Sequence, residues 1–400
     1  MLSKRVSTNE YAIRDLVVEA QKVEKTGKKV LYANIGDPLK YDFSPPQAMM
    51  EALHAAVHAG HNYYGDSQGD LEFRQAIAER EKRVAHANIT ANDVIVTAGV
   101  SEAIMFLTAA VIENGDQALL AGPGYPPYIS YTKFFGGEPV FYRTIEENGW
   151  QPDIRDMEKK ISGKTKFLLV INPNNPTGAM YDRATLKEIA NLAGQHNLTL
   201  VADEVYDLLS FDKKFTSMAS IVGDVPMIGF NGLSKGYMAT GWRTGWTYFV
   251  NADERMKEIK EGMMKQTRIR LCTATPFQKA AIPLLRGNDR HLENEMKRLR
   301  ERRDLSFKRL NEIHGISAAK PEAAFYIFPK IEQSAMKKGG WKTDKEFVLD
   351  LLHTKQVLTV NGSGFGGYGD NHFRVVFLPA VETLEEIYDR IEDFMRKRIE

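Results

Sequence analysis

Residues 167–204 read FLLVINPNNPTGAMYDRATLKEIANLAGQHNLTLVADE, and this stretch decides the fold. FLLVIN (167–172) is a short, continuous apolar run. NPNNPTG (172–178) carries two prolines and a glycine, which make a tight turn. ATLKEIANLAGQH (184–196) has helical character, and LTLVADE (198–204) is a second apolar run that ends in carboxylates. Strand, turn, helix and strand in succession build a parallel sheet covered by helices.

The pattern extends in both directions. VIVTAG (94–99), QALLAGP (117–123) and PVFYRTI (139–145) are strand-like upstream; PMIGFNGL (226–233) and TGWTYFV (244–250) are strand-like downstream. SEAIMFLTAAVIE after the first of these is helical. The expected class is α/β, with a mostly parallel central sheet and helices on both faces. After about residue 290 the texture changes to a long charged helix, the short strands FYIFPK (325–330) and FRVVFLP (373–379), and a terminal helix. We therefore expect an N-terminal segment (1–44) packed with a small α+β C-terminal domain (291–400), and a large domain over 45–290. A chain of 400 residues is long enough for this division.

Bulk properties narrow the function. Lys plus Arg number 53 against 52 acidic residues, so a net charge of +1 gives no reason to expect a nucleic acid or charged membrane partner. The basic run KRLRERR (297–303) reads as a solvated helix face. A single cysteine, Cys272, forbids an intrachain disulfide and fits a reducing cytoplasm. MLSKRVSTNEYAIRD lacks the apolar core of a signal peptide, and no apolar run reaches the length of a membrane span.

In open parallel sheets, sites collect beyond the carboxyl ends of the strands. Polar residues cluster there: the turn after FLLVIN, Asp203 after LTLVA, and Lys235 after PMIGF. NGLSKGYMATGWRTGW (231–246) adds Arg243 among four glycines, which suggests an anion beside the chain. Each motif alone has a plain rival. The asparagines of NPNNPTG also serve turns, Asp203 also caps or pairs, and Ser101 in TAGVSEAIMF (97–106) reads best alone as an N-cap. GSGFGG (362–367) precedes a strand, not a helix, so it is no dinucleotide fingerprint. His54 and His58 in HAAVHAGH lack the adjoining glutamate of a metalloprotease pattern, so no metal is expected. No P-loop occurs.

Taken in order, PGYPPY, NPNNPTG, ADEVY, SK with GWRTGW, and FRVVFLP resemble the class I and II aminotransferases, fold type I enzymes of pyridoxal 5'-phosphate (PLP). The resemblance runs nearly the whole chain. ANIGDP, HNYYGDSQG, NGLSK, IRLC and NGSGFG are similar, more narrowly, to prokaryotic alanine aminotransferases. It implies that Lys235 binds the cofactor aldehyde and then acts as general base, and that Arg243 grips the phosphate. It implies that Asp203 pairs with the pyridinium nitrogen, that Asn175 and Tyr206 hydrogen-bond the ring oxygen, and that Tyr125 stacks on the ring. Val100 and Ser101 would offer N–H groups to the phosphate. Tyr64, with Tyr63 beside it, resembles a tyrosine that crosses from a neighbouring subunit, which implies a homodimer with shared sites. Many relatives carry serine where Gly232 stands; Ser234 is the available substitute. Arg374 would clamp the substrate α-carboxylate, Gly36 would add a backbone N–H, and Arg270 is the candidate for a distal carboxylate. The implied reaction is ping-pong transamination of L-alanine and 2-oxoglutarate, with aspartate or aromatic amino acids as alternative donors. A β-lyase on the same fold is a further alternative, and a catalytically dead regulatory fold is disfavoured because Lys235, Asp203, Arg243 and Arg374 are all present.

Overall fold

The computed structural model describes residues 2–7 and 12–399. After the helix Ala12–Glu24 comes the two-residue strand β1 (Leu31–Tyr32). The central sheet then takes β2 (Val94–Thr97), β3 (Gln117–Gly122), β4 (Glu138–Ile145), β5 (Gln151–Pro152), β6 (Thr165–Ile171), β7 (Thr199–Asp203), β8 (Met227–Gly232) and β9 (Gly245–Val250). Their order across the sheet is β2-β9-β8-β7-β6-β3-β4-β5. The core pairs β4–β3, β3–β6, β6–β7 and β7–β8 are parallel. Only β9, between β8 and β2, and the short β5 run against their neighbours.

The sheet is buried on both faces, which is why its strands read as unbroken apolar runs. Successive side chains of one strand enter opposite cores. Phe167, Leu169 and Ile171 join one cluster with Ile104 and Met263. Leu168 and Val170 join the other with Leu186 and Ile189. Emptying one such site, as in Leu168→Ala, would cost about 2–5 kcal/mol.

Chain order reverses between β6 and β3, so a crevice opens beyond their carboxyl ends. Register aligns the other contributors at the same edge: Gly245 faces Gly232 on one side and Thr97 on the other.

The remaining strands are short. β10 (Ile316–Ser317) pairs with β12 (Lys330–Ile331), and β11 (Tyr326–Ile327) pairs with β15 (Phe373–Val376), which also pairs with β14 (Val360–Asn361). β13 (Val357–Leu358) takes β1 as a parallel neighbour, which carries the N-terminal segment onto this part of the chain. FYIFPK was expected as one strand. It forms β11 and the start of β12 instead, because Pro329 between them has no N–H to donate.

KRLRERR departs from the expected solvated face. Lys297 and Arg300 are exposed, but Arg302 and Arg303 are buried. Arg302 holds Asp42 at 2.6 Å and Arg303 holds Asp212 at 2.5 Å, so the helix Glu293–Glu312 anchors two loops through its basic side. His54 and His58 are exposed, as a solvated face requires. GSGFGG leads into β15, and Gly367 lies flat on Phe141, where a Cβ would come within 3.0 Å. Among the described residues no helix is long and apolar enough to cross a membrane, and no group of three or more His, Cys, Asp or Glu side chains could hold a metal.

Candidate active site

A cavity of about 740 Å³ opens at the carboxyl edge of the sheet. Gly36, Val100, Ser101, Tyr125, Asn175, Asp203, Tyr206, Lys235, Arg243 and Arg374 all line it. They come from segments scattered over the chain, so the topology assembles the site.

Asp203 ends β7 and is 3% exposed. Burial pushes its carboxyl up to about 6, against the hydrogen bonds from Tyr128 Oη at 2.9 Å and Val205 N at 3.3 Å. Lys235 follows β8 and is half-buried, with Nζ donating to Gly36 O at 2.6 Å. Burial brings its amine down to about 8; Arg374 and Arg243 push the same way, and Asp37 and Asp203 oppose them. An amine so placed is largely a nucleophile and base at mildly alkaline pH.

The three asparagines of NPNNPTG divide their work. Asn172 Oδ1 accepts from Tyr181 N at 2.8 Å, and Asn174 Oδ1 accepts from Thr177 Oγ1 at 2.9 Å. Those two build the turn. Asn175 faces the cavity, and its Oδ1 accepts from Arg374 Nη1 at 2.9 Å.

Arg374 lies on β15 and is 1% exposed. Its guanidinium also donates to Asn34 O and sits 4.5 Å from the Tyr326 ring centre, while Nε has no partner among the described residues. No carboxylate forms an ion pair with it among the described residues. A buried cation in that state calls for an anionic ligand.

The helix Val100–Val111 points its N-terminus at the same space. Its N-cap is Gly99, at φ 77°, with no side-chain cap, so Ser101 is not the cap residue expected from its sequence alone. Its leading N–H groups are available to an anion. Arg243 lies beside them, donating to Ala98 O at 3.2 Å and to Thr240 O at 3.0 Å. A Cβ at position 99 would come 2.5 Å from Arg243 Nη2.

Residues 29–391 match the model of the family "Aminotransferase class I and II". The chain belongs to the class I and II aminotransferases. It is 38% identical over 391 residues to the alanine aminotransferase of Mycobacterium tuberculosis, covering 96% of this chain and 90% of that protein. It is 35% identical over 389 residues to the glutamate-pyruvate aminotransferase AlaA of Escherichia coli, covering 96% and 95%. The structure of an alanine aminotransferase from Pyrococcus furiosus superposes with a TM-score of 0.96 at 55% identity and full coverage of both chains.

The coenzyme of this aminotransferase family is PLP, and the residues present fit it. The cavity offers an amine for the aldehyde, a buried carboxylate for the ring nitrogen, and a bare helix N-terminus with an arginine for the phosphate. Gly36 leaves no room for a side chain, since a Cβ there would overlap the Tyr326 ring. At Gly232 a Cβ would stand 3.0 Å from Gly245 Cα, and Ser234 lines the cavity instead.

Two expected residues lie elsewhere in the aminotransferase chain. Tyr64 is 82% exposed and Tyr63 56% exposed, outside the cavity lining. Arg270 ends the helix Glu254–Arg270, donates to Ser67 O at 3.3 Å and Val96 O at 3.2 Å, and pairs with Glu102 at 3.5 Å. Nη2 makes both backbone bonds, Nε and Nη1 have no hydrogen-bond partner among the described residues, and the side chain does not line the cavity.

Other functional residues escaped the sequence reading. Tyr128 lies one helical turn after Tyr125 in the helix Pro126–Phe134, a spacing that could have revealed it. Tyr326 contacts Tyr206 Oη at 2.8 Å, yet FYIFPK reads only as a strand. Arg14 also lines the cavity and gave no local signal.

Proposed function

We propose that this aminotransferase exchanges the amino group between L-alanine and 2-oxoglutarate, releasing pyruvate and L-glutamate. The observation that carries the reading is Arg374: a buried guanidinium without a carboxylate partner among the described residues, on the same cavity wall as the Lys235 amine. The full-length likeness to alanine and glutamate-pyruvate aminotransferases supports the substrate pair.

When bound, PLP supplies an aldehyde for the amino group and an electron sink for charge at the substrate α-carbon. The chain does the rest. Arg374 binds the α-carboxylate bidentately and fixes which α-substituent faces Lys235. Lys235 Nζ would take the proton from the substrate α-carbon and hold it for its return. Asp203 holds a proton on the ring nitrogen. Tyr206 and Asn175 orient the ring oxygen, Tyr125 covers the ring face, and Arg243 with the N–H groups of Val100 and Ser101 anchors the phosphate.

Among the described residues, the cations on the cavity wall are Arg14, Lys235, Arg243 and Arg374. Three have roles above, which leaves Arg14 to meet the distal carboxylate of glutamate or 2-oxoglutarate. Arg14 is exposed, so it can swing aside when alanine occupies the site. We assign that role to Arg14 rather than Arg270.

We further read the enzyme as a cytoplasmic homodimer. Tyr64, Ile269 and Leu271 are exposed at 82%, 85% and 52%, which is costly for a free surface and suits a subunit interface. The segment 1–44 with 291–400 would act as one body and 45–290 as the other.

Half-reactions test the substrate assignment. Arg374→Ala is expected to raise KM for every amino acid on the order of 100-fold, the effect of losing a buried charge pair, with the coenzyme spectrum intact. Arg14→Gln should raise KM for glutamate and 2-oxoglutarate while sparing alanine and pyruvate. Equal losses for all four would remove Arg14 from the account. Ammonia release from one amino acid without an acceptor would replace transamination by a lyase.

A further inference from the structure

We propose that Glu146 and His372 form a tether that positions Arg374 and so sets the seat of the substrate carboxylate. The inference rests on the reading of Arg374 given above. Glu146 follows β4 in the layer of the central sheet, and His372 immediately precedes β15. Residues 372 and 374 are two apart on extended chain, so their side chains share a face. From that face Arg374 reaches Asn175, and His372 Nε2 lies 3.3 Å from Glu146 Oε2. The strand bearing Arg374 is thereby held to the central-sheet layer at two neighbouring points.

The ring is built into this place. His372 is 5% exposed, stacks on Phe328 at 5.0 Å and 5°, and meets the edge of Trp150 at 5.4 Å. Nδ1 faces Asp370 O at 2.7 Å. Both ring nitrogens therefore face oxygens that accept hydrogen bonds, which fixes the plane of the ring. The charged groups around the ring are Glu146, Lys330 and Asp370. Lys330 Nζ donates to the same Glu146 oxygen at 3.1 Å but is 42% exposed, so solvent screens it. Asp370 offers the ring its carbonyl, and its carboxylate acts on the buried Asp344. Burial alone would raise the Glu146 carboxyl, yet the His372 and Lys330 hydrogen bonds prevail and hold it below its ordinary range.

The test uses the holoenzyme and pyruvate, which carries no titrating amine. In Glu146→Gln, KM for pyruvate should rise about fivefold, as expected for losing one charge-assisted hydrogen bond, with kcat nearly unchanged. Lys330→Gln, which removes the exposed partner of the same carboxylate, should leave KM for pyruvate near the parent's. Trp150 gives a readout that does not depend on turnover, because its indole meets the His372 ring at 5.4 Å between centres. Its emission should change in Glu146→Gln at one fixed pH, as the ring shifts against the indole, and stay at the parent's value in Lys330→Gln. A KM indifferent to Glu146, or a Trp150 emission unchanged in Glu146→Gln, would overturn the tether while the reading of the site stands. A chain that binds no coenzyme and turns over nothing would overturn both.

Discussion

Asp203 carries a cost in the free protein that the coenzyme is expected to relieve. Its carboxyl is raised from 3.8 to about 6 by burial, so the native state holds that proton more tightly than the unfolded chain does. Stability of the free protein should then fall as pH rises from 3.8 to about 6, and the penalty is full above that window. Two pH units correspond to about 3 kcal/mol at most. Asp203→Asn keeps the shape without the charge. It should stabilise the free protein near neutral pH by on the order of 1–2 kcal/mol and weaken coenzyme binding. Thermal unfolding with and without PLP checks both signs; a destabilised free variant would contradict the account. Lys235 makes the complementary case. With its amine brought down to about 8, coenzyme attachment should speed up as pH rises through that value and then level off. A rate flat in pH would contradict it. These residues stood out in the sequence because each closes an apolar run. Tyr326 and Arg14 did not, because their contacts join segments far apart in the chain: Tyr326 meets Tyr206, and Arg14 shares a wall with Arg374.

At the scale of elements, the phosphate seat depends on how a helix begins. Gly99 has φ 77°, and a Cβ there would press on Arg243 Nη2. Gly99→Ala should cost about 1–2 kcal/mol in backbone strain and also lower affinity for the coenzyme, read as its loss on dilution. Gly27→Ala is the control: φ is 84° and nothing lies within 4 Å, so strain appears without any coenzyme effect. The strands of the central sheet were legible because burial on both faces writes an unbroken apolar run. β1, β10 and β13 were not, since two-residue strands leave no periodicity to read. KRLRERR misled for a related reason. Composition reports charge, but not that Asp42 and Asp212 wait on the neighbouring loops to neutralise Arg302 and Arg303.

For the whole molecule, the order of motifs conveyed more than any one of them, since it placed residues from positions 36 to 374 on one cavity wall. The proposed homodimer would cover Tyr64, which is 82% exposed in the single chain. If sites are shared, Tyr64→Ala and Lys235→Ala proteins, refolded together, should form mixed dimers with one complete site. Recovered activity should approach about a quarter of the parent's, the statistical share for an isologous dimer. No recovery on mixing would argue for self-sufficient sites. The central claim, that Lys235 and its neighbours run transamination between alanine and glutamate, is tested most directly by the visible absorption of the purified protein with PLP. The account predicts a yellow band that bleaches with L-alanine or L-glutamate and returns with pyruvate. A band that ignores both amino acids, or no band at all when PLP is supplied, would contradict it.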